Sequence, residues 1–204
     1  MGPSVTEVRP VGSRPDLKRF IKYPFVKYRD DPHWVPPLLI LEREQFDPMK
    51  NPFYEHARVN LFLAERNGKV VGRVAAIDDD NHNLTHDDNL LFFGFFEAED
   101  AEAAQVLFAR VEERAQRLGR EVIRGPANPS VNHSVGLLID AFYSDPYLLM
   151  PYNPPEYPRY VEQNGYGKIK DLYAWIFERE WEVKKIGRLA ERVRKRHDDL
   201  VIRP

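Results

Sequence analysis

Between Arg124 and Tyr157 the sequence gathers side chains suited to chemistry: Asn128, Ser130, Asn132, His133, Tyr152, Asn153 and Tyr157. An imidazole can take and return a proton near neutral pH, phenols can give one, and amides and hydroxyls can hold a ligand by hydrogen bonds. These residues lie in two stretches rich in Asn, Pro and Gly, Arg124-Gly125-Pro126-Ala127-Asn128-Pro129-Ser130-Val131-Asn132-His133-Ser134-Val135-Gly136 and Pro151-Tyr152-Asn153-Pro154-Pro155-Glu156-Tyr157. The stretches flank the apolar runs Leu137 to Ile139 and Tyr147 to Met150. Proline fixes φ and short polar side chains bond nearby backbone, so the pattern predicts two loops of set geometry at neighbouring strand ends, where scaffolds carry function. A plainer use stands beside this one: Asn128 and Asn153 brace the loops through backbone hydrogen bonds, and the tyrosines pack on the prolines.

Other chemistries lack their parts. The chain has no cysteine, which excludes disulfides, thiolate catalysis and Cys-ligated zinc and fits a reducing compartment. No Gly-rich nucleotide motif, zinc-protease motif or Gly-x-Ser-x-Gly elbow occurs. His82 and His86 stand among five aspartates, but that segment reads as a solvated, non-helical strand connection, and a pair at this spacing converges on a metal only from a helix, so no metal is expected. Thirty Lys and Arg against 32 Asp and Glu, a formal charge of −2, provide no chain-wide field for nucleic acid. No apolar run approaches a membrane span and no signal peptide is evident at the N-terminus, so a soluble cytoplasmic chain is expected.

With 204 residues and 43% hydrophobic content, the chain can bury one sizeable core. A strand is expected near Val5 to Val11, then a helix capped by Ser13, carrying Pro15 in its first turn and kinked or ended at Pro24. Trp34, in a Pro-rich aromatic loop, either lines a ligand groove or tacks that loop to the core. Asn67-Gly68 between two apolar runs predicts an antiparallel hairpin. Leu90 to Phe96 is apolar throughout, which places it at the sheet centre with both faces covered, and Gly94 inside it marks a bulge or a close backbone approach. Acids from Glu97 to Asp100 open a helix with an apolar stripe from Ala104 to Leu118 and a Gly119 cap; Glu121 to Arg124 begins the next strand. Lys168 to Phe177 reads as a strand, and Trp181 to His197 as a basic amphipathic run that either meets an anionic membrane surface or nucleic acid, or links domains. The division is thus 1–178 for the main domain and 179–204 for the basic segment. Leu200-Val201-Ile202-Arg203-Pro204 echoes Thr6-Glu7-Val8-Arg9-Pro10, as though a second unit began there.

This order predicts an α+β sandwich, a mixed and mainly antiparallel sheet with helices on both faces. The layout resembles the GNAT acyltransferase fold. The phrases Trp34-Val35-Pro36-Pro37, Asn51-Pro52-Phe53-Tyr54-Glu55-His56-Ala57, Phe93-Gly94-Phe95-Phe96, Arg124 to Ser130 and Met150 to Pro155 resemble a bacterial GNAT-like family, similar to the acyl-CoA-dependent ceramide synthases, over nearly the whole chain to about Trp175. The resemblance implies an acyl-CoA-dependent N-acyltransferase, or its N-terminal half, with a small-molecule or lipid amine as acceptor. A second GNAT-like domain or a homo-oligomer belongs to the same expectation, and the basic segment adds peripheral membrane contact. Acyl transfer needs a base for the ammonium, donors for the oxyanion and an acid for the thiolate. His133 would be the base; Asn128 and Asn132 would orient the acceptor or donate to the oxyanion; Tyr152 or Tyr157 would be the acid; Ser130, Asn153 and Trp34 would touch substrate.

One departure matters. GNAT enzymes usually follow the bulged strand with an Arg/Gln-x-x-Gly-x-Gly/Ala turn that grips the coenzyme A pyrophosphate at a helix N-terminus. Here that place holds Glu97-Ala98-Glu99-Asp100-Ala101-Glu102-Ala103, without a glycine and with four acids, so no coenzyme-binding residue is assigned. The alternative is a non-catalytic GNAT-like module for binding or assembly.

Overall fold

The computed structural model describes residues 5–176 and 184–196. They divide into two compact units, 1–168 and 169–204. In the first, a five-stranded sheet runs in the order β1 (Glu7–Pro10), β2 (Ala57–Arg66), β3 (Lys69–Asp79), β4 (Leu90–Ala98), β5 (Val122–Arg124). All neighbours are antiparallel except β4 and β5, which run parallel. The β2–β3 turn holds Asn67 at φ 52° and Gly68 at φ 75°, the left-handed pair a two-residue hairpin demands. Helices α1 (Arg14–Lys27) and α2 (Leu39–Gln45) contribute to the core on one face, and α4 (Ala101–Leu118) and α5 (Tyr157–Gln163) to the core on the other. The expected α+β sandwich, mainly antiparallel with helices on both faces, is what the chain forms.

Period-two alternation assigns the strand residues to these two cores. Ala75, Ile77, Leu90 and Phe92 pack with Phe20, Phe46 and Phe53, whereas Val74, Ala76, Leu91 and Phe93 pack with Leu107, Phe108 and Val111. β4 breaks the alternation. Ala75 pairs with Gly94 but Arg73 pairs with Glu97, so β4 carries one extra residue and Phe95 takes φ 50°. Beyond this bulge Phe95 lies with the α1 core and Phe96 with the α4 core. The bulge therefore re-aims Glu97 to the α1 face, opposite Arg73; an unbroken alternation would have driven it into the apolar α4 core.

Gly94 is required here. A Cβ on it would lie 1.8 Å from the Ala127 carbonyl oxygen, so the backbone of β6 (Ala127–Asn128), which pairs with β7 (Ser134–Val135), sits directly against the bulge.

Three expectations are corrected. The segment read as a non-helical connection is helix α3 (Asp80–His86), capped by the Asp79 side chain on the His82 N–H and closed by Asp87 in the left-handed region; the His82 and His86 rings lie 4.5 Å apart, tilted by 41°. Pro24 neither ends nor interrupts α1, which runs on to Lys27. Residues 168–176 form no strand, having no neighbouring ladder to complete their hydrogen bonds. In the second unit α6 spans Lys184–Arg196. The echo at Leu200 to Pro204, the ends of the basic run at Trp181 and His197, and Phe177 lie outside the described residues.

Candidate active site

Between the α1 face of the sheet and the two Asn/Pro-rich loops lies a cavity of about 860 Å³. Its floor is polar, formed by Arg73, Glu97 and Glu42; Trp34, Asn128, His133, Tyr152, Asn153 and Tyr157 also line it, and exposed Val35, Leu41, Tyr147, Leu148 and Leu149 ring it.

Glu97 Oε2 accepts hydrogen bonds from Tyr28 Oη at 2.6 Å and Tyr157 Oη at 2.7 Å, while Oε1 takes none from the described residues. Burial pushes the Glu97 carboxyl up, against the opposing pull of Arg73 and the two phenols. Glu42 is raised by the same cause, and burial pulls Lys27 and Arg73 down.

Arg73 is held through a proline. Pro24 has no N–H to give to the carbonyl four residues back, so Phe20 O is left unused within α1, and Arg73 Nη1 donates to it at 2.9 Å. Lys27, on the last turn of the same helix, donates to Ala98 O at 2.9 Å.

The two loops are braced by their asparagines. Asn128 Oδ1 accepts from the Phe95 N–H of the bulge at 2.5 Å, and its Nδ2 is left without an acceptor among the described residues. Asn153 Oδ1 accepts from Leu138 N and its Nδ2 donates to Leu138 O and Pro154 O, so the whole amide is occupied. His133 is exposed at the mouth with Nδ1 against Ser130 Oγ at 2.9 Å. Ser130 is buried and does not line the cavity, and Asn132 is exposed and off its lining; direct substrate contact was expected of both. Tyr152 donates to Asp31 Oδ2 at 2.6 Å, and burial with that bond pushes its phenol up, which weakens it as an acid. Tyr157 is 1% exposed, its hydroxyl engaged with Glu97 and accepting from Ala98 N at 2.8 Å. Trp34 packs on Phe25 and Tyr28 while lining the cavity.

Sequence reasoning overlooked Glu97, Arg73, Glu42 and Tyr28. Arg73 offered the clearest signal, a lone cation inside the otherwise apolar run Val70 to Ile77.

Among solved structures, the chain superposes on a tandem GNAT protein from the clavulanic acid biosynthesis pathway (without AcCoA) with a TM-score of 0.50 at 13% identity, covering 79% of this chain and 43% of that one. The fold is a GNAT fold. No family model matches the sequence. It is 38% identical over 182 residues to bacterial ceramide synthase of Caulobacter vibrioides (strain NA1000 / CB15N) and 36% identical over 173 residues to Protein YghO of Escherichia coli (strain K12), 88% and 84% of this chain. The chain spans about half the length of these relatives, 47% and 44%.

In this GNAT fold the N-terminus of the helix after the bulged strand does not fit a pyrophosphate. Asp100 caps α4 by accepting from Ala103 N at 2.9 Å and is gripped by both terminal nitrogens of Arg66 at 2.7 and 3.0 Å. A carboxylate already fills the place an anion would take. A separate depression of about 680 Å³ is lined by Lys18, Arg19, Lys22, Lys27 and Lys69 against one acid, Glu99. Among the described residues no group of three or more His, Asp or Glu side chains converges to hold a metal ion, and no helix is long and apolar enough to cross a membrane.

Proposed function

We propose that this chain carries the acceptor site of an N-acyltransferase, which moves an acyl group from an acyl-CoA thioester to a primary amine bearing an apolar chain. The observation that carries this reading is the Glu97 carboxylate: buried, held by two phenols through one oxygen, and lining a cavity with the other oxygen unbonded among the described residues. Such a group is placed to take the ammonium proton. The freed amine attacks the thioester carbonyl; the C–N bond forms, the C–S bond breaks, and the leaving thiolate takes a proton. Asn128 Nδ2, an amide donor without an acceptor among the described residues, is set to meet the oxyanion. Proton delivery near the mouth is assigned to His133, since the Tyr152 phenol is raised and already donates to Asp31, and the apolar ring suits a chain entering there. The ceramide synthase name of the relative from Caulobacter vibrioides accords with a lipid amine. The donor's phosphates are assigned to the lysine-lined depression, since α4 offers them no place. Lys27 relates the two sites, lining the depression while bonding the carbonyl beside Glu97.

Titration calorimetry with a short and a long acyl-CoA, followed by an amine acylation assay, tests the reading. Saturable binding, with turnover that Glu97→Gln lowers by about 10²- to 10⁴-fold, is expected. A folded protein that binds no acyl-CoA would instead support the second reading, a non-catalytic GNAT-like module, which the carboxylate-capped α4 N-terminus favours.

A further inference from the structure

The cavity floor holds a buried cation that its protein contacts do not satisfy. Arg73 is 6% exposed; Nη1 bonds Phe20 O, the guanidinium lies 5.0 Å from the centre of the Phe20 ring, and Nε has no partner. Among the described residues no carboxylate stands within ion-pairing distance of it, although Glu97 is its ladder partner and Glu42 lines the same cavity. Other arginines of this chain are answered: Arg66 by Asp100, Arg120 by Asp78, Arg9 by Asp16 and Glu65. A guanidinium is a planar fork matched to the two oxygens of a carboxylate, and a buried charge left with one carbonyl and a ring face is costly. Arg114 Nε also lacks a partner, but that residue is only half-buried; among the described residues Arg73 is the arginine that is buried, and it lies on the cavity lining.

We infer that the acceptor carries a carboxylate beside its amine, an α-amino acid unit whose carboxylate is held by Arg73 while its ammonium faces Glu97. The inference rests on the reading of this cavity as an amine site. Arg73 and Glu97 are opposed residues of an antiparallel ladder and line the same cavity without pairing directly, so one ammonium–carbon–carboxylate unit can be set between their head groups. Charges then alternate across the floor: guanidinium, ligand carboxylate, ligand ammonium, Glu97. The rest of the acceptor, its apolar side chain, lies toward Trp34, Val35 and Leu41.

Calorimetric binding of three ligands of equal chain length, octylamine, its amino-alcohol analogue and α-aminooctanoic acid, decides the matter without an acyl donor. The amino acid is expected to bind at least tenfold more tightly than either of the others. Arg73→Met should abolish that preference and Arg73→Lys should retain part of it. If octylamine or the amino alcohol binds as tightly as the amino acid to the unaltered protein, the carboxylate is not recognised and the inference falls while the amine site stands. If none of the three binds, both fall. A preference that persists in folded Arg73→Met also overturns it. The comparison on the unaltered protein needs no variant to fold.

Discussion

Tyr157 shows how one hydroxyl can serve stability and chemistry at once. It accepts from the Ala98 N–H and bonds the Glu97 carboxylate, so Tyr157→Phe leaves a buried donor unpaired and strips an interaction that favours the charged form of Glu97. Chemical denaturation should show a loss of about 1–3 kcal/mol. The acid limb of the kcat/KM profile should also move. Burial already holds the Glu97 pKa above the ordinary carboxylate value of about 4.3, so the base form, and with it activity, emerges as pH rises through that elevated value. Removing the Tyr157 bond raises it further, so the limb shifts to higher pH; in Glu97→Gln the limb should vanish. A profile unmoved in Tyr157→Phe would detach Glu97 from the proton transfer.

At the scale of elements, much was legible because it is local. Asn67-Gly68 sets its own turn, and Asp100 and Gly119 close α4 through bonds within a turn of themselves. Asp79 is as good a cap for α3, but the surrounding polarity read as a connection. The re-aiming of Glu97 was not legible: Gly94 signalled a bulge or close approach, yet which way the next residues turn depends on Ala127, 33 residues further along the chain. The partner of Arg73 was hidden likewise, since Pro24 signalled a helix break and instead left a carbonyl for an arginine from a distant strand. Gly94→Ala must push β6 off the bulge and should cost at least about 3 kcal/mol or prevent folding, measured by urea titration. Asp100 supplies a pH test. Its bonds to Arg66 hold its carboxyl below the usual range, so the stability it contributes is present above the unfolded value and lost as pH falls through the folded one. Asp100→Asn, which keeps a cap, should flatten that acid-side fall in Tm, by an amount limited by the side chain's exposure.

For the molecule as a whole, all residues that line the cavity fall between positions 24 and 157, inside the first unit. Truncation after Lys168 should therefore leave acyl-CoA binding within about twofold, as read by calorimetry. The lysine-lined depression provides a charge test of the donor assignment: acyl-CoA affinity should fall steeply with added salt, and Lys22→Glu with Lys69→Glu should weaken it tenfold or more. Equal affinity in that double variant would place the phosphates elsewhere.

The bulge has a last consequence, for self-association. β5 pairs with only the first three residues of β4, and an uncovered strand edge beyond that point would template pairing with another chain. Here the Phe95 and Ala98 N–H groups are already taken by Asn128 and Tyr157 side chains, and the Ala127 backbone lies against Gly94. The edge of β4 beyond β5 is thus blocked against edge-to-edge growth, and loosening either loop would expose a segment, Phe92-Phe93-Gly94-Phe95-Phe96, whose composition favours cross-β aggregation.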